Sequence, residues 1–421
     1  MHDVLIVGGG PAGLHAATCL ARRGWAVAVC EEHSAIGEPV HCTGILATEA
    51  FSRFALPTTA ILADQRATRF HSPAGYALSY QTDAPEAVLI DRRGFDRSLA
   101  DQARASGARI LLDARVTQVQ RTPASVVLST TQGEVSGKLV ILATGAAYHL
   151  HRSLGLPLPT QFIQTAQAEA DFPWSTEIEL YFGTTVAPGA FAWVVPFRDN
   201  TGQRKARIGL MATKEAEHAF ARFVRSAPVA ARMGASQMVR LRRRPIPLVP
   251  LARTFATRTL VVGDAAGLTK PTTGGGIFYS LLSAELAVAT AQQALVREDY
   301  SEELLASYER EWKARCGNEL RLGRWFRRYA ERLTDSQIDE AFQLATAPAV
   351  DRLIREQAAF NSHGGLILAL ARSPQVRNFL VRFVFTSGTS YLHQLVRRPA
   401  PKVSARLPMD TDEDRTFSLA S

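Results

Sequence analysis

Apolar residues crowd the start of the chain in a pattern that predicts a buried strand, a tight turn, a helix and a second strand. Val4, Leu5, Ile6 and Val7 form an unbroken apolar run, as suits a strand covered on both faces. Gly8, Gly10 and Gly13 follow, Pro11 and Ala12 open a helix, and Ala26 to Cys30 gives the next apolar strand, ending at Glu31 and Glu32. Phe70 to Tyr80 reads as a hairpin about Pro73-Ala74-Gly75. Phe95, Leu99 and Ala103 recur at helical spacing, with Arg92 just before that helix and Gly107 closing it. Strands are then expected at Arg109 to Leu112, Arg115 to Gln120 (through Val116), Val126 to Thr130 and Lys138 to Ala143, the last ending in Thr144-Gly145.

Beyond about residue 160 the strands lengthen: Phe162 to Asp171, Glu177 to Phe182, Ala190 to Phe197 and Arg204 to Ala212 read as a separate antiparallel sheet. A helix from Lys214 to Ser226 follows. The chain then returns through Arg244-Pro245-Ile246-Pro247 to the apolar strand Thr259 to Val262, and a long helix runs from Ile277 to Arg297. From Ser301 the pattern is helical and rich in arginine.

The first unit carries recognisable chemistry. Gly8, Gly10 and Gly13 fill the G-x-G-x-x-G pattern of a dinucleotide-binding turn, and the helix beginning at Pro11 aims free N–H groups at a pyrophosphate. Glu31, at the end of the second strand, is placed to accept from a ribose diol. This unit alone leaves NAD and FAD open. The later stretch Gly263-Asp264-Ala265-Ala266-Gly267 turns the choice toward FAD, because Asp264 ends a buried strand where ribityl hydroxyls would satisfy its carboxylate. Pro271 to Gly276 then opens the helix at Ile277, so Gly274, Gly275 and Gly276 offer backbone N–H groups to the N1 and C2=O edge of a reduced flavin. Gly145 lets the backbone pass close to the same cofactor.

The expected fold is therefore α/β: a discontinuous, three-layer Rossmann-like FAD-binding domain (1–57, 85–158 and 245–300), an antiparallel-sheet substrate domain (58–84 and 159–244) and a helical C-terminal region (301–421). A chain of 421 residues accommodates these parts. No apolar run reaches the roughly 18–20 residues that span a bilayer, and Met1 directly precedes the first strand, so neither a span nor a signal peptide is expected. The cytoplasm is the expected compartment. Cys19, Cys30, Cys42 and Cys316 show no metal-ligand spacing.

These motifs resemble the FAD-dependent p-hydroxybenzoate hydroxylase superfamily, and within it the geranylgeranyl reductase family. The narrower likeness rests on two stretches. Pro39-Val40-His41-Cys42-Thr43-Gly44 is similar to the family's active-site cysteine loop, and Pro188 to Pro196, with Phe191 and Trp193, is similar to its P-x-x-Y-x-W-x-F-P cavity motif. Phe191 and Val195 depart from that motif, and Thr144 stands where the hydroxylases carry Asp. The resemblance implies non-covalent FAD held by Gly8, Gly10, Pro11, Ala12, Gly13, Glu31, Glu32, Cys42, Arg92, Val116, Gly145, Gly263, Asp264, Gly274, Gly275, Gly276 and Ile277. It also implies Cys42 and His41 as catalytic candidates, and a cavity walled by Phe191 to Val195 between Pro188 and Pro196. The implied reaction saturates C=C bonds of a prenyl lipid or quinone. The alternatives are a flavin-dependent aromatic hydroxylase and a flavin-bearing sensor without turnover. NAD(P)H and ferredoxin both stand as electron donors.

The net charge of +9 asks for an anionic partner. Arg315, Arg321, Arg324, Arg327, Arg328 and Arg332 interleave with Leu320, Leu322, Trp325, Phe326 and Tyr329, and Val376 to Arg398 repeats the mixture. Two readings stand, a peripheral helix on the inner face of an anionic membrane and a helical cap on the sheet domain. No nucleic-acid recognition module is visible, so nucleic acid is not an expected partner.

Overall fold

The computed structural model describes residues 1–173, 175, 177–199, 201–233 and 238–382. Its first sheet has five parallel strands, in the order Thr259–Val261, Gly133–Leu142, His2–Val7, Val27–Cys30 and Arg109–Leu111. Antiparallel Phe255–Ala256 extends one edge, and the hairpin Val116–Arg121/Val126–Thr130 continues from Gly133–Leu142. Val4, Leu5 and Ile6 are wholly buried, as their unbroken apolar run requires. The helix Pro11–Ala21 packs against both Arg92–Ala105 and Ile277–Arg297. It can sit low over the turn because residue 13 is glycine, where a Cβ would come within 2.0 Å of Gly8 O.

The second sheet runs Met238–Pro247, Phe162–Asp171, Arg204–Ala212, Phe191–Arg198, Ile178–Phe182, Ala67–His71, Ala77–Gln81. Its neighbours are antiparallel except Ile178–Phe182 and Ala67–His71, which run parallel. Two details differ from expectation. The stretch through Arg244-Pro245-Ile246-Pro247, read as a connection, is the end of an edge strand, and an edge tolerates prolines because it lacks a partner on one side. Ile61–Gln65, assigned from sequence to this sheet, instead joins Ala87–Ile90 and Ile45–Ala47 in a separate three-stranded sheet.

Strand alternation also divides the supposed wall. Trp193 and Val195 face one apolar cluster with Ile163 and Met211, and Phe191 packs against it. Ala192 and Val194 face the opposite side, against Phe220 and Phe223 of the helix Ala216–Arg225. A strand cannot present five consecutive side chains to one cavity.

Helices Glu302–Trp312, Asn318–Ala330, Asp335–Ala345, Pro348–Gln357 and Gly364–Arg372 form the C-terminal region, with one π-turn at Lys313–Gly317. Within the arginine cluster, Arg321 and Arg328 are exposed, but Arg327 is buried and donates to Gly189 O at 2.9 Å. Of the later basic stretch, positions 383–398 lie outside the described residues. No described helix is long and apolar enough to cross a membrane.

Candidate functional site

A cavity of about 950 Å³ opens where the glycine turn, the Asp264 loop, one face of the second sheet and the C-terminal helices meet. Its polar end is built on backbone. Gly8 has φ +108°, and a Cβ there would stand 2.4 Å from Ala143 O, so the turn admits only glycine. Gly10 differs: a Cβ would meet nothing within 4 Å, because this position opens into the cavity beside Pro11 and Ala12. That open cradle at a helix N-terminus has the form a pyrophosphate requires. Gly13 lies beneath the turn and does not line the cavity.

Glu31 Oε2 accepts from Gly9 N at 2.6 Å, while Oε1 accepts from His33 N at 3.0 Å and meets His33 Nδ1 at 2.5 Å. Burial opposes its ionisation, but the His33 and Gly9 hydrogen bonds outweigh burial and hold the carboxyl below its usual range. Glu31 therefore braces the glycine turn as well as facing the cavity. Glu32, paired with Arg115 at 3.6 Å, lines the same region with Val116 and Gly145.

Gly263, Asp264, Gly274, Gly275, Gly276 and Ile277 line the adjoining wall. A Cβ on Gly276 would stand 2.7 Å from Asp264 Oδ1, so glycine lets the loop close over the carboxylate. Burial pushes the Asp264 pKa up to about 6, with Arg92 pulling the other way. A carboxyl so poorly solvated suits hydroxyl donors arriving with a ribityl chain.

Arg92, Cys42 and His41 stand together between the polar and apolar ends. Arg92 grips Asp96 through both guanidinium Nη2 contacts, at 2.8 and 3.2 Å, and its charged form is favoured by Asp96 and Cys42 against the burial that opposes it. Gly44 N donates to Cys42 Sγ at 3.3 Å. His41 is pushed down to about 3 by burial, then by Arg244, whose Nη2 stands 2.9 Å from His41 Nε2. His41 is thus neutral, with Nε2 accepting from Arg244, which argues against an imidazolium acid.

The apolar end carries Phe70, Ile178, Leu180, Phe182, Phe191, Trp193 and Val195 from the sheet. Pro188 and Pro196 do not line it: Pro188 O accepts from Thr213 N at 3.0 Å, and Pro196 is buried in register with Ala206.

Three contributions escape a reading by motif. Gln167 Oε1 accepts from Trp193 Nε1 at 3.1 Å and from Thr43 Oγ1 at 2.7 Å, joining the cavity wall to the cysteine loop. Buried Arg207 donates to Thr43 O at 2.6 Å and to Ile90 O at 3.1 Å. Lys270 and the C-terminal residues Phe326, Ile354, Phe360, Ile367 and Leu370 complete the lining. Their one sequence signal was alternation, which puts Gln167 and Arg207 on defined faces of long strands. A separate recess of about 620 Å³ near Arg69, Glu179 and Arg232 shares no residue with this cavity, and its Arg232–Glu179 pair is closed at 2.7 Å.

Comparison with known proteins places the chain among flavoenzymes. Residues 3–158 match the FAD dependent oxidoreductase family model. The digeranylgeranylglycerophospholipid reductase of Methanoculleus marisnigri is 30% identical over 355 residues, covering 80% of this chain and 88% of that protein. The protein of the same name from Methanocaldococcus jannaschii is 28% identical, covering 80% and 89%. Among solved structures, a geranylgeranyl bacteriochlorophyll reductase-like protein from Thermoplasma acidophilum superposes with a TM-score of 0.78 at 23% identity, covering 91% of this chain and 99% of that one. Halogenase PltM, in complex with phloroglucinol and FAD, shares the fold at a TM-score of 0.65 and 15% identity, covering 94% and 93%.

Proposed function

Since this chain belongs to the digeranylgeranylglycerophospholipid reductase family and is an FAD-dependent oxidoreductase, we propose that it saturates C=C bonds in the prenyl chains of a membrane lipid. The observation that carries this reading is that one cavity is lined by Phe191 and Trp193 from the sheet and by Ile354, Ile367 and Leu370 from the C-terminal helices. An apolar chain gains roughly 0.8 kcal/mol per buried methylene, so such a lining holds a prenyl tail without polar contacts.

FAD, when bound and reduced, supplies a hydride from N5 to one alkene carbon. The protein's part is to hold the chain against the ring and deliver a proton to the other carbon, so that two hydrogens are added. Phe191 and Trp193, with ring centroids 6.1 Å apart, form the aligning wall. Cys42 is the proposed proton donor, held by Gly44 N and flanked by Arg92. His41 is a positioning residue, fixed by Arg244.

Access from a membrane surface belongs to the same proposal. Phe326 lines the cavity yet is 39% exposed, and Trp325 beside it is 50% exposed. With Arg321 and Arg328 also exposed, the solvent-facing side of the Asn318–Ala330 helix suits an anionic bilayer. The test is anaerobic incubation of dithionite-reduced protein with geranylgeranyl glycerophospholipids and prenyl quinones, followed by mass spectrometry. Gains in steps of two hydrogens support the proposal. No gain with any prenyl compound, together with oxygen insertion into a small aromatic, overturns it.

A further inference from the structure

Lys270 has no part in the chemistry above, yet its surroundings are unusual for a lysine. It is 5% exposed and lines the cavity. Its Nζ donates to Phe360 O at 2.6 Å and lies 4.4 Å from that residue's ring centroid. Among the described residues no carboxylate forms an ion pair with it; Glu319 and Glu49 act only from farther off, and burial draws its pKa down to about 8. A buried ammonium without a counterion is costly, and this one borders the space reserved for the cofactor.

A chain of close approaches fixes which part of the cofactor it meets. A Cβ on Gly263 would stand 3.5 Å from Ala12 Cβ, at the pyrophosphate cradle. Asp264 follows, closing on Gly276 at 2.7 Å; next, a Cβ on Gly275 would stand 2.9 Å from Lys270 Cε and 3.6 Å from Nζ. Along this path the residues that would hold a dinucleotide are Ala12 for its pyrophosphate, Asp264 for its ribityl chain, and Gly275 with Lys270 for its ring.

We propose that Lys270 is the counter-charge of the reduced flavin, its ammonium serving the N1 and C2=O edge. There, uptake of two electrons and one proton leaves one negative charge. The assignment rests on FAD binding and not on the prenyl substrate.

The experiment compares the midpoint potential of bound FAD in wild-type, K270M, K270Q and K270R holoenzyme, equilibrated anaerobically with a reference dye. Methionine keeps the length of the side chain, glutamine keeps a donor for Phe360 O, and arginine keeps the charge. K270M and K270Q should lose at least tenfold in affinity for reduced over oxidised FAD, a fall of about 30 mV for a two-electron couple. K270R should retain most of the wild-type potential. An unchanged potential in a neutral variant that binds FAD overturns the proposal. So does failure of both neutral variants to bind oxidised FAD, because Lys270 would then serve binding rather than reduction. Lost prenyl turnover at unchanged potential overturns it too, assigning Lys270 to the substrate. A wild-type protein inactive on every prenyl lipid would sink the reductase reading but leave this measurement intact.

Discussion

Replacing Arg207 with methionine should loosen the cysteine loop without emptying the core around it. The Arg207 side chain is 5% exposed, and its guanidinium donates to Thr43 O and Ile90 O, donates from Nε to Glu169 Oε1 at 2.9 Å, and lies 4.8 Å from the Phe197 ring centroid. Glu169 is 40% exposed, so solvent screening leaves that pair worth under about 1 kcal/mol. The two carbonyls carry the effect. Each hydrogen bond from a charged donor contributes about 1.5–3 kcal/mol, and relief from burying the guanidinium offsets part of the loss, leaving a net cost of about 2–4 kcal/mol. Because Thr43 and Gly44 follow Cys42 directly, the cost should appear as local opening there. Alkylation of Cys42 by iodoacetamide, followed by peptide mass spectrometry, should accelerate by one to three decades. Cys30 and Cys316, both buried, report global unfolding and should stay protected. An unchanged rate at Cys42, or equal acceleration at all three, would refute the clamp.

Gly10→Val should leave the melting temperature of the apo-protein nearly unchanged and abolish tight FAD binding in a fluorescence titration, since a Cβ there meets no protein atom within 4 Å and points into the cavity lining; Gly13→Ala should lower the melting temperature itself. The Asp264 pKa lies above the ordinary 3.8, so this group's stabilising contribution is present below about pH 4 and lost as pH rises through about 6. Asp264→Asn should accordingly stabilise the apo-protein at pH 7 by up to about 3 kcal/mol in calorimetry while weakening FAD by one to two decades. His41 and His363 are depressed to about 3 and about 4, chiefly by burial, so the folded protein refuses protons that the unfolded chain accepts below about pH 6.5. Stability should fall between about pH 6.5 and 4 by at most about 1.4 kcal/mol per unit per histidine, and H41Q/H363Q should flatten that slope in urea titrations.

The nucleotide end was legible because its constraints are local. Gly8, Gly10, Gly13 and Glu31 fall within one strand–helix–strand unit, in which Gly13 closes on Gly8 O and Glu31 accepts from Gly9 N, while Gly8 also answers to Ala143 O from outside it. The second stretch of cavity lining, from Asp264 to Ile277, is likewise contiguous in sequence. The clamp was not, because Gln167 and Arg207 meet Thr43 across 124 and 164 residues and nothing near them in sequence marks their partner. The edge strand containing Pro245 and Pro247 was missed because proline ordinarily ends a strand, and only the sheet order reveals that its outer side is unpaired among the described residues. Lys270 was passed over because burial without a counterion is a property of the assembled cavity, with Phe360 supplied from 90 residues away.

The spacing of the cavity motif then acquires a physical reason. Phe191, Trp193 and Val195 share a face because a strand repeats every two residues, while Pro196 belongs to the other side. Phe191 keeps the ring that the motif's tyrosine would bring and spends it on an edge contact with Trp193. Trp193 in turn lies over Gly209, where a Cβ would come within 2.6 Å of the indole, so the neighbouring strand must carry glycine for the wall to lie flat. The indole N–H and the Thr43 hydroxyl both donate to one oxygen, Gln167 Oε1. The cavity wall and the loop that carries Cys42 are therefore one hydrogen-bonded unit, and a change at Trp193 acts on both.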